Sequence, residues 1–513
     1  MKGIASTFFE NCKKYGDKQA IVCENETYTY VELGQRVKKC AVFLSLSGVK
    51  KSDCICMLMN NSLETVIVFW AAASIGAQVL PMNPSMPLDT VEKFIGYSKA
   101  GHIIARSLFF REASDRRLID SCHKICIDKT LPNIHCLKEY ENCSAEFEPL
   151  DTDGSETYII TSTSGSTGTP KLIYLSQQNK LDRAYAHIKL YSLTENDRIL
   201  ISTPLYHSLA ERLMIMPLLL GATCVLMPRY SVKKWLDYAS TQKITFTIAV
   251  SSQLIQLITD YEKYTQNYDF GSLRCLVSSS ASLDNQNKQK LLDILKCEFH
   301  EMYGTSETST VTDNKLDINN PAYKSVGTAL EGVDIKILGE KGEDLLQNQV
   351  GEIAVKSHLT CKACINPVTG ENLIKTGEYY KTGDLGYLDE KGQLFFSGRK
   401  KEIIITGGIN VFPSDIEDVI LKNENVLECA AFACPDERLG ESVAVVAVPK
   451  ENSSLSVREI RIVCAQHLAD FQQPHHVLIT DEIPRNSLGK ISRNSLYTHF
   501  AEQLDIGNDN VRS

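Results

Sequence analysis

Residues 161–171 read Thr-Ser-Thr-Ser-Gly-Ser-Thr-Gly-Thr-Pro-Lys, and they follow a short apolar run, Tyr-Ile-Ile, at 158–160. Glycines let a backbone turn its N–H groups inward, hydroxyls add hydrogen-bond donors, and Lys171 adds a positive charge. This is the composition of a loop that holds a polyphosphate. It is not a Walker loop, because the GxxxxGK[ST] spacing is absent and a proline precedes the lysine. A surface loop rich in Ser, Gly and Thr has the same composition, so the rest of the chain must decide between the two interpretations.

Further motifs follow this loop in a fixed order along the chain. They are PLYH at 204–207, MYGTSE at 302–307, YKTGD at 380–384, GRKKE at 398–402 and PRNSLGK at 484–490. One short block can arise by chance, whereas five in order cannot. Together with YTYVEL at 28–33 and IGA at 75–77, they resemble the adenylate-forming superfamily of acyl- and aryl-CoA synthetases, peptide-synthetase adenylation domains and luciferases. The resemblance covers nearly the whole chain.

The resemblance implies an ATP-dependent acid–thiol ligase. Such an enzyme activates a carboxylic acid as acyl-AMP, releases pyrophosphate and transfers the acyl group to CoA, using ATP, Mg²⁺ and CoA. Two alternatives share every motif: an acyl-AMP ligase that loads a carrier-protein phosphopantetheine, and a luciferase-like oxygenase. A binding protein without activity is expected to lose Lys490, Glu307 or Lys171, and all three are present.

Bulk composition excludes several other classes. A chain of 513 residues is expected to form at least two domains. The net charge of −9 and the lack of a long basic run argue against nucleic-acid binding. The most apolar run, 66–81, is interrupted by polar residues and is too short for a membrane span. The seventeen cysteines are scattered, which predicts reduced, packed thiols and a cytoplasmic protein; we expect no zinc or redox site at Cys361 and Cys364.

The alternation of strand-like and helical patterns predicts an α/β fold. Residues 20–22 and 27–30 indicate a hairpin, 31–46 and 62–74 indicate helices, and 54–58 indicates a buried strand. The same pattern returns at 198–202, 224–227, 246–250 and 273–277, which predicts layered, mostly parallel sheets.

From 333 to 396 the pattern changes to short strands separated by turns, at 333–338, 351–355, 386–388 and 394–396, which predicts a small β-rich lobe. A second α/β pattern follows: strands at 402–406, 427–433 and 442–449, and a helix at 414–423 that Ser414 or Asp415 caps. We therefore expect a large N-terminal adenylation domain, 1–398, that includes the lobe. A small, mobile α+β C-terminal domain, 399–513, is expected to follow it.

The resemblance assigns the phosphates and the metal. It places the β- and γ-phosphates on the loop residues Ser164, Gly165, Ser166, Thr167, Gly168 and Lys171, and it makes Thr163 a further ATP-binding residue. It places Mg²⁺ on Glu307, which suits a hard cation that prefers oxygen ligands. Ser306 keeps a hydroxyl where the family often has Thr.

The resemblance also assigns the nucleoside. Asp384 and Arg399 are expected to contact the ribose. The adenine pocket is expected at Ser280, Ala281, Glu301, Met302 and Tyr303, and Gly304 is expected to contact ATP. Residues 278–281 read Ser-Ser-Ser-Ala and depart from the usual Gly-rich form, which puts their backbone contacts in doubt.

The resemblance also assigns the catalytic residues and the hinge between the domains. Lys490, after a glycine, matches the lysine that bridges carboxylate and α-phosphate during adenylation, with Lys171 and His207 as the other catalytic candidates. Lys401 matches the hinge about which the C-terminal domain turns before the thiol step.

The acid site is the least determined part. His207 matches the position that gates the acyl pocket. Arg212 lies in an otherwise apolar run at 209–220, where an unpaired charge would be costly. It has three possible environments: the neighbourhood of Glu211, solvent, or a polar group of the substrate. The sequence does not identify the acid.

Arg229 and the glycine pair Gly407 and Gly408 match CoA-binding positions of CoA ligases. Against CoA, Ile405 replaces a basic residue of some aryl ligases, and the Gln-Gln-Pro run at 472–474 replaces a common lysine-containing pattern.

Overall fold

The computed structural model describes residues 3–163, 171–264, 268–280, 283, 285–316, 325–451, 453–485, 491, 493–501 and 503. The helices of this part are α1 (Ile4–Tyr15), α2 (Tyr30–Leu46), α3 (Leu63–Ser74), α4 (Leu88–Ser98), α5 (Ser107–Glu112), α6 (Arg117–Asp120), α7 (Gln177–Leu190), α8 (Ser208–Leu220), α9 (Val232–Thr241), α10 (Ser251–Asp260), α11 (Asn285–Leu295), α12 (Pro413–Ile420), α13 (Val457–His467) and α14 (Arg493–Phe500). The strands are β1 (Gln19–Cys23), β2 (Glu26–Thr29), β3 (Cys54–Met57), β4 (Gln78–Pro81), β5 (His102–Ala105), β6 (His123–Cys126), β7 (His135–Cys136), β8 (Thr157–Thr163), β9 (Lys171–Ser176), β10 (Arg198–Ile201), β11 (Thr223–Leu226), β12 (Phe246–Val250), β13 (Cys275–Ser279), β14 (Glu298–Thr305), β15 (Ser309–Lys315), β16 (Thr328–Ala329), β17 (Val333–Leu338), β18 (Gly351–Ser357), β19 (Ala363–Ile365), β20 (Tyr380–Leu388), β21 (Leu394–Arg399), β22 (Ile404–Thr406), β23 (Ile409–Val411), β24 (Val426–Asp436), β25 (Gly440–Pro449) and β26 (His476–Ile479).

The chain divides into two compact units. The first comprises Met1–Tyr323, Ala329–Asp334 and Lys356–Tyr380, and the second comprises Lys324–Thr328, Ile335–Val355 and Lys381–Ser513. The β-rich lobe therefore groups with the C-terminal segment by compactness. The predicted boundary at residue 399 concerns a hinge of motion and stays a prediction.

Two large sheets organise the first unit. One has the strand order β16-β15-β14-β13-β12-β10-β11-β1-β2, and the other has the order β19-β9-β8-β4-β3-β5-β6-β7. Their central strands are parallel, as in β12 with β13 and β3 with β4. Antiparallel pairs occur towards the edges, at β1 with β2 and at β8 with β9. The predicted layered α/β architecture is confirmed.

The strand β3 shows why these sheets are buried on both faces. Ile55 and Met57 pack into the core that holds α1, α2, α3, α7 and α8, whereas Cys54 and Cys56 pack into a second core on the opposite face. Successive side chains of a strand point to opposite faces, so an unbroken apolar run supplies two cores. No helix of the described residues is long and apolar enough to cross a membrane, and the apolar run at 66–81 divides into α3 and β4.

Local sequence signals set the helix starts in this unit. Thr29 accepts a hydrogen bond from the Glu32 amide, and the Glu32 carboxylate accepts one from the Thr29 amide at 2.8 Å. This capping box ends the β1–β2 hairpin and begins α2.

The second unit contains the β-rich lobe, in the order β17-β18-β20-β21, and a mixed sheet in the order β23-β22-β25-β24 with β26 beside β25. Helices α12 and α13 supply one core of the mixed sheet, and α14 supplies the other. The predicted small α+β domain is confirmed as a fold.

One prediction of a local detail is wrong. The α12 helix begins at Pro413, its N-cap is Phe412, and no side chain caps it. Ser414, one of the two expected caps, instead donates its hydroxyl to the Ser397 carbonyl. Proline at the first helical position needs no partner for an amide, which reduces the need for a cap.

Candidate active site

The carboxyl ends of three neighbouring parallel strands bring several of the predicted site residues of the first unit together. Val250 of β12 pairs with Ser279 of β13, and Ser278 of β13 pairs with Glu301 of β14. His207 follows β10, the next strand in the same sheet. Ligands of open α/β sheets bind at this edge, so the sheet itself positions the site.

The segment that carries Glu307 is a tight hairpin between β14 and β15. A Cβ on Gly304 would lie 2.0 Å from the Ser309 carbonyl oxygen, so only glycine fits. Ser309 adopts a positive φ of 65°, and the register shifts between Tyr303 and Gly304. This bulged hairpin turns Glu307 out of the ladder while keeping it buried.

Glu307 is held at both its backbone and its side chain. Its carbonyl oxygen accepts from the Arg183 Nη2 at 2.8 Å and from the Cys361 amide at 2.7 Å. Its Oε1 accepts from the Tyr380 hydroxyl at 3.1 Å. Its Oε2 makes no hydrogen bond or ion pair with any other described residue. One carboxylate oxygen is therefore oriented and the other is open, which fits a Mg²⁺ ligand.

Arg183, on α7, donates to two segments of backbone and was not found by sequence reasoning. Its guanidinium also donates to the Leu359 carbonyl at 2.9 Å and to the Ser306 carbonyl at 3.1 Å. Burial lowers the pKa of Arg183 to about 10, so the group remains charged at neutral pH. Basic residues on the buried face of α7, which Leu181 and Ala184 mark, are the sequence signal that could have identified it.

Tyr380 begins the YKTGD motif, and the sequence predicted no role for it. Burial, and then the nearby Glu307 charge, raise the pKa of the Tyr380 hydroxyl well above its usual range. The phenol therefore stays protonated and acts as a donor to Glu307.

The residues predicted to bind adenine differ in hydrogen bonding, burial and backbone conformation. The Glu301 carboxylate accepts from Lys288 at 2.6 Å and from the Leu283 amide at 3.2 Å, so it supports the segment after the 278–281 loop. Met302 and Tyr303 are buried. Ser280 has a φ of 84°, in the left-handed region that glycine adopts without strain. A serine holds this conformation here because the loop has serines where the family usually has glycines.

His207 is the N-cap of α8 and packs its ring edge-on against Tyr206 at a centroid distance of 4.5 Å. The buried Asn61 fixes the loop before it: its Oδ1 accepts from the Leu205 amide, and its Nδ2 donates to the Thr203 carbonyl. Sequence reasoning missed Asn61, because the two segments lie more than 140 residues apart.

Arg212 is buried, so the solvent alternative is wrong. Its Nη1 donates to His187 Nε2 at 3.0 Å and to Thr310 Oγ1 at 3.1 Å. The neighbouring Glu211 forms a buried ion pair with Lys180 of α7.

The two predicted ribose residues lie together in the second unit. Asp384 of β20 pairs in register with Arg399 of β21, and Arg399 Nε lies 3.3 Å from Asp384 Oδ1. The Asp384 amide donates to Thr382 Oγ1, which donates to the Ile353 carbonyl. Asp384 is buried, whereas Arg399 is exposed.

The remaining predictions are less constrained by the structure. Gly407 and Gly408 have positive φ values of 56° and 81° between β22 and β23, a turn that requires glycine-like residues. Arg229 and Lys401 are exposed, and Lys171 begins β9 opposite Thr163. The predicted residues that lie outside the described residues are Ser164, Gly165, Ser166, Thr167, Gly168, Ala281 and Lys490.

All seventeen cysteines are free thiols. Cys361 and Cys364 pack with Ile173 and Leu175, and burial raises the pKa of each thiol to about 12. These two residues behave as small apolar side chains.

Two protein-family models match the chain. The model described as AMP-binding enzyme matches residues 8–363, and the model described as AMP-binding enzyme C-terminal domain matches residues 415–490. The chain belongs to the AMP-binding enzyme family. It is a member of the adenylate-forming superfamily, in the acyl- and aryl-CoA synthetase branch.

Relatives and solved structures agree with this assignment. The indoleacetate–CoA ligase of Aromatoleum aromaticum is 29% identical over 93% of this chain and 94% of its own length. The oxalate–CoA ligase of Arabidopsis thaliana is 28% identical over 97% and 99%. ATP-bound MatB from Rhodopseudomonas palustris has a TM-score of 0.87 at 24% identity, over 98% of this chain and 100% of that chain, and supports the fold.

The o-succinylbenzoate CoA synthetase of Bacillus subtilis, solved with its acyl-adenylate intermediate, has a TM-score of 0.83 at 25% identity, over 96% of this chain and 97% of that chain. This chain is an AMP-forming acid–CoA ligase that acts through an acyl-AMP intermediate and uses ATP and CoA.

Proposed function

We propose that two different sets of residues serve the two half-reactions. In the first, a carboxylate oxygen of the acid attacks the α-phosphorus of ATP, the bond to the bridging oxygen breaks, and pyrophosphate leaves. In the second, the CoA sulfur attacks the acyl carbon, the bond to AMP breaks, and the thiol proton goes to solvent. The observation that carries the proposal is the Glu307 carboxylate, fixed through one oxygen and open through the other.

Glu307 would hold Mg²⁺, and the bound ion would neutralise the developing charge on the phosphates. Around it, Lys171 and the loop 163–168 would hold the β- and γ-phosphates. Asp384 and Arg399 would bind the ribose. Residues 280–281 and 301–303 would form the adenine pocket, and Gly304 and Ser306 would also contact ATP. These groups orient two anions for in-line attack, which is the main requirement of the step.

Lys490 would bridge the carboxylate and the α-phosphate, and a turn about Lys401 would then replace it with the CoA-binding residues Arg229, Gly407 and Gly408. His207 would close the acyl pocket. A carrier-protein thiol is the alternative acceptor, and assays with CoA and with a phosphopantetheinylated carrier protein distinguish the two.

The relatives are named for an aromatic acid, a short diacid and long-chain fatty acids. These names therefore do not identify the acid that this chain activates. We also infer a cytoplasmic location, because seventeen free thiols suit a reducing compartment.

The test separates the half-reactions in the Lys490→Ala variant. Pyrophosphate release dependent on acid, ATP and Mg²⁺ should be lost, ATP binding should remain, and thioester formation from supplied acyl-AMP should continue. Equal loss of both half-reactions would contradict the division of labour. A Lys401→Pro variant should show the opposite pattern, because proline fixes φ at the proposed hinge.

A further inference from the structure

Arg212 lies between the elements that border the proposed acid site. It belongs to α8, which begins directly after His207. Its Nη1 reaches Thr310, which lies three residues after Glu307 and whose hydroxyl is 3.4 Å from the Met302 sulfur. The guanidinium therefore sits against the hairpin that carries the metal and adenine residues.

Arg212 forms no ion pair with any described residue, although the nearby Glu211 charge favours its protonated form. Its two hydrogen bonds come from one nitrogen, Nη1, and both acceptors are uncharged. Its Nε and Nη2 donate to no described residue, although a guanidinium offers five N–H donors. The adjacent Glu211 carboxylate is paired with Lys180 instead.

His187 is an acceptor and cannot compensate the charge. Burial, and then the Arg212 charge, lower the pKa of His187 well below its usual range. Because Arg212 can only donate, His187 Nε2 must accept, and the ring proton lies on Nδ1, 2.9 Å from the Arg183 carbonyl. Burial also lowers the pKa of Arg212 to about 9, which leaves it charged at neutral pH.

The other buried lysine and arginine side chains of the described residues either pair with a carboxylate or use every guanidinium nitrogen. Lys180 pairs with Glu211, Lys288 pairs with Glu301, and Arg183 donates to three carbonyls. Among the described lysines and arginines, only Arg212 combines burial with guanidinium nitrogens that donate to no described residue. A buried charge without a hydrogen-bonded counter-ion is costly, which indicates that this counter-ion arrives with a ligand.

We propose that Arg212 binds a second carboxylate of the acid, so that the substrate is a dicarboxylic acid activated at the end away from Arg212. This rests on the proposed function. A guanidinium matches the geometry of a carboxylate with two parallel hydrogen bonds, which ammonium or neutral groups do not reproduce. One carboxylate would react at the α-phosphate while the other neutralises Arg212, which makes Arg212 a specificity-determining residue.

The test compares matched acids of two to ten carbons: each dicarboxylic acid, its monomethyl ester and the monocarboxylic acid of equal length. Acid-dependent pyrophosphate release and the mass of the CoA thioester are measured with the wild-type enzyme. The best dicarboxylic acid should exceed its monoester in kcat/KM by roughly ten- to a hundredfold, the range expected for a charged hydrogen-bonded pair.

The variants Arg212→Met and Arg212→Lys are assayed beside it. Arg212→Met should lose the preference for the diacid and gain activity with the monoacid, whereas Arg212→Lys should keep part of the preference. Lys189→Met, on the exposed face of the neighbouring α7, is the control and should change neither.

Equal use of diacid and monoester by the wild-type enzyme would overturn the proposal, even if Arg212→Met fails to fold. A uniform loss with all acids in a folded Arg212→Met would also overturn it, since that marks a structural role. If no acid of any class released pyrophosphate, the proposed function itself would fail together with this inference.

Discussion

Glu307 and Asp384 are both buried carboxylates that are expected to meet the nucleotide, but the chain holds them in different ways. Glu307 is fixed by residues far away in sequence: Arg183 at a separation of 124 residues and Tyr380 at 73. Asp384 is fixed by its own hairpin, through Thr382 two residues away and Arg399 across the β20–β21 register.

The two carboxylates are therefore positioned by different kinds of contact. Behind Glu307 lies a layer of buried charges on α7 and α8, defined here as the charged layer: Lys180, Arg183, Glu211 and Arg212. Such a layer loses its geometry when one of its existing ion pairs or hydrogen bonds is removed. The Asp384 hairpin is partly exposed at Arg399, so solvent can replace a lost contact.

The largest expected effect comes from breaking the charged layer. Glu211→Gln leaves Lys180 buried without its partner, and we expect it to lower the free energy of unfolding by about 3–5 kcal/mol. Urea unfolding measures this loss. The double variant Lys180→Met/Glu211→Leu should recover most of it.

An exposed ion pair that involves Lys189, on the same helix α7 as Lys180, provides the control. Lys189 and Glu331 are both mainly exposed, so Lys189→Met should cost less than about 1 kcal/mol. Similar losses for Glu211→Gln and Lys189→Met would show that the charged layer is not more demanding than the surface.

The next effect concerns Arg183. Arg183→Met removes charged donors from the Ser306 and Glu307 carbonyls, and we expect the Mg²⁺ concentration for half-maximal ATP–pyrophosphate exchange to rise roughly tenfold or more. Arg183→Lys should recover part of this. Thioester formation from supplied acyl-AMP should stay near the wild-type rate.

The matched control is Arg198→Met. Arg198 also donates its Nε to a carbonyl, that of Gln242, but on another strand end. If it shifted the Mg²⁺ dependence as much as Arg183→Met does, the effect would be one of general stability.

The same comparison explains what could be predicted from the sequence. Motifs that are contiguous, such as the block ending at Glu307 and the one ending at Asp384, give the residue and its expected role directly. The alternating patterns also gave the parallel strands, because burial on both faces leaves a continuous apolar run. Arg183, Tyr380 and Asn61 could not be placed, since their partners are set by packing between distant segments.

A loss of ATP affinity is expected at the ribose. Asp384→Ala removes a carboxylate that would accept from two hydroxyls, and we expect ATP binding to weaken by roughly ten- to a hundredfold, or about 1.5–3 kcal/mol. Calorimetric titration with ATP measures it. Unchanged affinity in a folded variant would refute the ribose assignment.

The smallest expected effect is that of Tyr380→Phe. It deletes one hydroxyl from Glu307 Oε1, and we expect a three- to tenfold rise in the Mg²⁺ requirement, since one hydrogen bond contributes about 1 kcal/mol. Tyr379→Phe is the control, because the Tyr379 hydroxyl contacts Asp334 instead. A Tyr379→Phe shift as large as that of Tyr380→Phe would argue against a specific role for Tyr380.

The most direct test of the account measures metal binding at Glu307 itself. Mn²⁺ replaces Mg²⁺ in the enzyme–ATP complex, and electron paramagnetic resonance gives its dissociation constant for the wild-type enzyme and for Glu307→Gln. We predict binding at least roughly tenfold weaker in the variant, loss of acyl-AMP formation, and retained thioester formation from supplied acyl-AMP. Unchanged Mn²⁺ affinity in a folded Glu307→Gln would contradict the central claim that the chain fixes Glu307 as the metal ligand.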